Sequence, residues 1–413
     1  MVRNAKSAAY PTLGQGRRCR LAPAVCLMAA LALMVAIPGC GGCLKDPVQS
    51  QKELEERLAK ERAAKKEAEK PPFEVAPLRT RPSDWRVGND QNDEGEGFAM
   101  GPPYKPNHWT ATMVAARANH AHFLGELETT VTDQRGKPIP LPAVSYDLTS
   151  TRQATLQKGK AKPFESILFI PNIDQRASVT YGLRSNSSGG RMKNTFLSPM
   201  PSYQYHFVVL ARSPERYSYL QGLATIRPPT DDFIQSIEPY YRLSLMQADR
   251  AERRLALPSH PLLWTGIAYV LWDDAAPFAL NLDQQLALLD WLHWGGQLIL
   301  SGPETLDTLR DSFLAPYLPA TAGEAREFTA EDFEPLVEWS SEGKKSGSSL
   351  VPLLEPVRPM QGVTLKMHSD ARFVDGSGDL IAERKVGSGR VVVTAFRLSN
   401  IELTSWPGLD ELY

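Results

Sequence analysis

Between Gly266 and Leu300 the chain reads as an apolar run, an amphipathic helix, a glycine pair and a second apolar run, an order that few folds accommodate. Gly266–Trp272, GIAYVLW, has the continuous apolar character of a strand buried on both faces of a parallel sheet. Leu282–Leu292, LDQQLALLDWL, carries apolar residues at helical spacing and closes on Gly295-Gly296, where a left-handed residue is expected to end the helix. Gln297–Leu300, QLIL, returns to the sheet. Strand, helix and strand at this spacing predict a right-handed crossover in a doubly wound sheet.

The pattern extends in both directions. Tyr205–Ala211, Tyr240–Met246 and Arg390–Phe396 read as further strands, the last preceded by a hairpin turn at Gly387-Ser388-Gly389. That GSG precedes a strand and opens no helix, so it lacks the geometry of a phosphate loop. Ser213-Pro214-Glu215 predicts a helix running to Leu223, with Ser213 as cap, Pro214 at the first helical position and Glu215 at the positive end of the dipole. Glu324–Gly347, acidic and then rich in Gly, Ser and Lys, reads as a surface excursion. Leu398–Tyr413 breaks off at what reads as the start of another helix, which raises the expectation of a longer native chain.

Upstream, from Pro106, the apolar period changes to two. Trp109–Arg117 and Leu124–Thr132 read as half-buried strands, with a turn at Asp133-Gln134-Arg135-Gly136. Val144–Leu148, Ser166–Ile170 and Ala177–Leu183 follow at intervals typical of a β-sandwich, a module that binds, spaces or packs. Asn186-Ser187-Ser188 matches a glycosylation sequon, but the SNSSGG stretch reads as a flexible loop. His120 and His122 would face one side of a strand without the third and fourth ligands that a metal site needs. The fold class expected is therefore α+β and multidomain: a β-sandwich at 104–200, then an α/β flavodoxin-like doubly wound sheet at 203–413 carrying the insertion 324–347.

Ala268–Pro303, AYVLWDDAAPFALNLDQQLALLDWLHWGGQLILSGP, resembles the class I glutamine amidotransferase-like fold in the degenerate form found in bacterial envelope proteins. Catalytic members of that family use a cysteine on a strand-to-helix elbow and a histidine followed two residues later by glutamate. This chain has no cysteine beyond Cys43, and none of His206, His260, His293 and His368 is followed by glutamate at that spacing. Leu300-Ser301-Gly302-Pro303 is not the G-x-S-x-G elbow that a serine nucleophile would need. The resemblance thus implies the fold without the amidotransfer chemistry: no catalytic residue, no cofactor and no metal.

Open α/β sheets bind ligands at the carboxyl ends of their strands. Here those ends carry Arg212-Ser213, Asp273-Asp274 and Ser301-Gly302 with Glu304, which together make a candidate ligand rim. Asp273 and Asp274 read either as exposed loop caps or, if a turn brings them together, as a cation or acid–base pair. A hydrolytic or ligand-sensing use of Asp273, Asp274 and Ser301 stands as the alternative to a non-catalytic domain.

The amino terminus supplies an address. Met1–Arg20 carries Arg3, Lys6, Arg17, Arg18 and Arg20 with no acidic residue, the n-region of an export signal, and the apolar run from Leu21 follows it. Arg17-Arg18 lacks most of the surrounding twin-arginine pattern. Ile37-Pro38-Gly39-Cys40 resembles the lipobox of bacterial lipoproteins, with Pro38 in place of the usual small residue. That resemblance implies a signal peptide at 1–39, lipidation of Cys40 and a lipid-anchored start at 40–50. An uncleaved helix ending at Gly39 and a freely secreted product are the other readings. The four cysteines, Cys19, Cys26, Cys40 and Cys43, all lie here, so cleavage before Cys40 would leave a body without disulfides that must stand on its apolar core.

Gln51–Lys70 is built of strong helix formers with favourable i,i+4 pairs such as Glu53→Arg57 and Glu56→Lys60. Leu54 and Leu58 are its only large apolar residues, so it reads as a solvated helical spacer about 30 Å long; a short coiled coil is the sharper alternative. Pro71–Pro103 reads as a disordered proline-rich and acidic linker, and its NDQNDEGEG patch fails the EF-hand template. A formal net charge of −1 gives no basic field for nucleic acid. The expected protein is a non-catalytic envelope lipoprotein, periplasm-facing or at the cell surface, held to the membrane by its lipidated N-terminus and contacting an envelope protein or glycan partner.

Overall fold

The computed structural model of the protein describes residues 47–81, 103–141, 144, 146–172, 177–185, 193–226, 239–248, 253–342 and 353–413. The expected signal peptide, Cys40, the acidic patch and the SNSSGG stretch beyond Ser185 lie outside these residues. By backbone contacts the chain divides at Ala64/Lys65 into two units. Of the first, the helix α1 (Pro47–Ala68) is described as far as Ala64, with Leu54 and Leu58 both exposed. Among the described residues no helix is long and apolar enough to cross a membrane. The larger unit is mixed α and β, mostly strand.

Among the described residues its first half holds nine strands: β1 (Phe73–Arg81), β2 (Pro103–Tyr104), β3 (His108–Ala118), β4 (Phe123–Thr132), β5 (Thr149–Leu156), β6 (Ala161–Ile170), β7 (Ser178–Arg184), β8 (Lys193–Phe196) and β9 (Ser198–Pro199). They pair as an antiparallel sheet β1-β3-β6, an antiparallel sheet β5-β4-β7-β8 and the short parallel pair β2-β9. Alternate residues of the two larger sheets point into one shared core, among them Val114 and Leu168 from one and Leu127 and Val179 from the other.

Two expectations need correction here. Phe73–Arg81, assigned to the linker, is an edge strand with Val75 buried in the core. Its proline-containing sequence hides this, because an edge strand tolerates Pro77 where the pairing slips between Pro77 and Arg79. Over its described residues Val144–Leu148 forms no strand: Val144 and Tyr146 are exposed, Asp147 makes only an isolated bridge to Pro140, and the pairing segment is β5, just downstream.

The second half is organised by β10 (Tyr205–Ala211), β11 (Tyr241–Met246), β12 (Ile267–Asp273), β13 (Gln297–Leu300), β14 (Ala320–Phe328), β15 (Met360–Met367), β16 (Ala371–Phe373), β17 (Ile381–Val386) and β18 (Gly389–Thr394). Seven of these form one sheet in the order β11-β10-β12-β13-β18-β17-β16. The first five run parallel, and β17 and β16 add on antiparallel. The helix α2 (Leu282–Trp294) joins β12 to β13. A capping box starts it: Asn281 accepts from the Gln284 backbone while Gln284 Oε1 accepts from the Asn281 backbone. Its end turns at Gly295, φ +127°, and a Cβ on Gly296 would sit 2.3 Å from the Trp291 ring. One sheet face, with Val208, Val270, Leu298 and Val391, packs on Ala287, Leu288, Trp291 and Leu292. The other, with Val209 and Leu271, packs on Tyr217, Leu220, Phe333 and Leu403.

On that second face the helix expected after Ser213 is a 3-10 segment, Pro214–Gly222, without a side-chain cap from Ser213. Its buried residues Pro214, Tyr217 and Leu220 recur every three positions, which matches the 3-10 period and not 3.6. The insertion 324–347 is not a surface excursion over its described part. Glu324–Phe328 belongs to β14, which pairs antiparallel with β15, and α4 (Glu334–Glu342) follows. Phe328, Phe333 and Leu336 are buried in the core. Residues 343–347 lie outside the described segments.

Candidate functional site

The register of the sheet places the candidate residues. Leu210, Trp272, Leu300 and Val393 stand side by side on β10, β12, β13 and β18. One residue further on, side chains flip to the opposite face, and the chain carries Ala211, Asp273, Ser301 and Thr394. A polar row thus closes the carboxyl edge of the sheet on the face that carries Tyr217. Asp273, Ser301 and Thr394 are all buried.

Each member of the row is bonded internally. Tyr217 Oη donates to Ser301 Oγ at 2.7 Å, and the Leu398 backbone N–H donates to the same oxygen at 3.0 Å. Thr394 Oγ1 donates to the Phe396 carbonyl at 2.6 Å and accepts from Gly302 N at 3.2 Å. Asp273 receives a guanidinium edge-on: Arg397 Nε lies 3.1 and 3.2 Å from Oδ1 and Oδ2, and Nη2 lies 3.0 Å from Oδ1. Burial, and then the Asp273 charge, push the Tyr217 phenol well above its ordinary value, so it stays a protonated donor.

Gly302 makes this possible. It begins α3 (Gly302–Leu309) at φ +75°, and a Cβ there would meet the Arg397 Cα at 3.0 Å. The segment after β18 therefore passes close against the start of α3, which aims Arg397 at Asp273.

Asp273 is accordingly no exposed loop cap, and this corrects the sequence reading: at 3% exposure it is the buried half of an ion pair. Asp274 adopts φ +51°, and its carboxylate has partners different from those of Asp273. Its Oδ2 lies 3.4 Å from exposed Arg212, and its Oδ1 accepts from Thr308 at 3.2 Å. Glu304 stands at the edge, half-exposed, with Oε1 3.9 Å from Arg397 Nη1. Ser213 makes no side-chain cap hydrogen bond to the segment that follows it. The structure thus unites Asp273 and Ser301 with Tyr217, Thr394 and Arg397, three residues the sequence reading missed. Applying the strand-end rule to the last strand, VVVTAFR, would have flagged Thr394 and Arg397.

In front of the row lies an open cleft lined by Arg216, Arg397, Ser399, Asn400, Ile401 and Thr404. Among the described residues no cluster of three His, Cys, Asp or Glu side chains is placed to hold a metal. His120 bonds the Lys70 carbonyl and His122 accepts from Lys158 N, so each has its own local partner.

No family model matches the chain, and no curated protein matches it. Solved structures match in part. Sporulation control protein Spo0M from Bacillus subtilis aligns at 9% identity over 32% of this chain and 51% of its own, with a TM-score of 0.21. A family 123 glycoside hydrolase from Clostridium perfringens aligns at 8% identity over 56% of this chain and 64% of its own, with a TM-score of 0.20. The alkylpurine DNA glycosylase AlkC from Pseudomonas fluorescens aligns at 8% over 31% of each chain, at 0.19. The chain spans less than two thirds of the length of each, and similarity at this level assigns it neither family nor activity.

Proposed function

We propose that this protein is an envelope lipoprotein, anchored through Cys40, whose folded body binds or scaffolds a partner without performing chemistry. The observation that carries the non-catalytic reading is the bonding of the strand-end row. Ser301 Oγ already accepts from Tyr217 and Leu398, with no histidine among its partners, and both oxygens of Asp273 are taken by Arg397. A nucleophile needs a base within hydrogen-bond reach and a free path to substrate, and this serine is buried under a tyrosine.

The strand order supports the amidotransferase-like reading of the second half. Numbered from β10, the parallel strands β11-β10-β12-β13-β18 run 2-1-3-4-5, the flavodoxin-like doubly wound order. The two antiparallel sheets with a shared core support the β-sandwich reading of the first half. The charged helix α1, with Leu54 and Leu58 exposed, suits a spacer. Acyl chains on Cys40 would add roughly 0.8 kcal/mol of membrane affinity per buried CH₂.

The test is fractionation of cells that make the protein with its own N-terminus. The native chain is expected with membranes, and the Cys40→Ser variant in the soluble fraction. A Cys40→Ser variant still held in the membrane would replace the lipid anchor with an uncleaved helix.

The cleft beside Arg397 favours a second use of the same rim, ligand sensing without hydrolysis, because it presents cations and donors to solvent while the buried row behind it is closed.

A further inference from the structure

We infer that the cleft beside Arg397 is an oxyanion-binding site that takes the carboxylate or phosphate group of a small ligand. The inference rests on the reading of the body as a binding module and names what one of its surfaces binds.

The site is built from the inside outwards. Asp273, buried at the end of β12, grips the Nε and Nη2 edge of Arg397 and leaves Nη1 directed away from the pair. An arginine fixed in this way has lost its side-chain freedom before any ligand arrives, and a guanidinium matches the geometry of carboxylate and phosphate oxygens. Arg216, on the exposed side of the 3-10 segment, supplies a second cation to the same cleft.

The remaining polar wall is weighted towards donors. Asn400 Oδ1 accepts from Glu402 N at 2.9 Å, which orients the carboxamide and leaves its NH₂ as donor. Ser399 lines the cleft, and its Oγ is buried with no hydrogen-bond partner among the described residues. An unmet buried hydroxyl costs free energy, and a turn of the Ser399 side chain towards an oxygen seated in the cleft would give it an acceptor. Two guanidinium groups, an amide and a hydroxyl suit a ligand group whose atoms only accept.

Beyond Asp273, a second and looser carboxylate, Glu304, faces Arg397 and explains how its outer edge rests without ligand. Glu304 Oε1 lies 3.9 Å from Arg397 Nη1, half-exposed, too distant for a formed hydrogen bond. It acts as a loose internal carboxylate that an incoming oxyanion displaces, so it competes with the ligand.

The experiment is calorimetric titration of the full chain, in detergent at constant ionic strength, with inorganic phosphate in one arm and succinate in the other. Saturable binding in either arm supports the site, and the stronger arm identifies the group it takes. Arg216→Ala is expected to weaken binding about fivefold, as for loss of one exposed charge contact. Glu304→Gln removes the competitor and is expected to tighten binding by a similar factor. Both residues are exposed, so both variants are expected to fold. Absence of saturable binding in both arms, or equal affinity in all three proteins, would overturn the inference while leaving the anchored, non-catalytic reading intact.

Discussion

Arg397 and Asp273, 124 positions apart in sequence, are joined by three nitrogen–oxygen contacts of 3.0 to 3.2 Å, with Asp273 at 3% exposure and the arginine side chain at 27%. The pair ties the end of β12 to the segment after β18, across β13, and holds the carboxyl edge of the sheet together.

Removing one partner should therefore be costly. Arg397→Ala leaves a buried carboxylate unpaired and is expected to cost about 3 kcal/mol in urea denaturation, whereas replacing both partners with leucine should recover much of that loss. A loss below about 1 kcal/mol in the single variant would mean that water replaces the arginine and that the pair is not a lock.

Ser301 and Tyr217 make a graded test of the buried row. Tyr217→Phe deletes one hydrogen bond and is expected to cost about 1 kcal/mol. Ser301→Ala removes the acceptor of both Tyr217 Oη and Leu398 N, leaving the buried Leu398 donor unmet and Tyr217 only Asp273, and should cost about 2 to 3 kcal/mol. Equal losses for the two variants would place the serine outside the network drawn for it.

The sequence made part of this legible. The helix α2, its capping residue and its glycine pair announce themselves because a period of 3.6 and a left-handed end are local properties, and the flanking strands show as continuous apolar runs. The edge strand β1 was hidden because Pro77 and several charges are tolerated where one side of a strand is unpaired. The 3-10 segment was hidden because Ser213-Pro214-Glu215 is a helix-start signal that an α-helix and a 3-10 helix share, and the spacing of Pro214, Tyr217 and Leu220 shows its period only once their burial is known. Ser301 and Asp273 were found from strand ends, yet their roles were not, since both depend on Tyr217 and Arg397 arriving from distant positions. No local pattern encodes that meeting.

His206 gives the pH dependence. It is fully buried on β10, and burial, then the charges of Arg242, Lys105 and His108, hold its imidazole down at about 3. The ordinary value in an unfolded chain is about 6.5. The native state therefore binds fewer protons than the unfolded state below pH 6.5, so stability is full above that value and falls as pH drops towards 3. Relative to a His206→Gln variant, the native chain should lose up to about 1.4 kcal/mol for each pH unit within that window. A stability difference between the two proteins that is constant from pH 7 to pH 4 would contradict the assignment.

The central claim is that a non-catalytic body is tethered to a membrane through Cys40, and the most direct measurement is the mass of the mature amino-terminal peptide from protein made with its own leader. The account predicts a peptide that begins at Cys40 and carries acyl chains. A peptide containing uncleaved residues before Cys40, or one beginning at an unmodified Cys40, would contradict it.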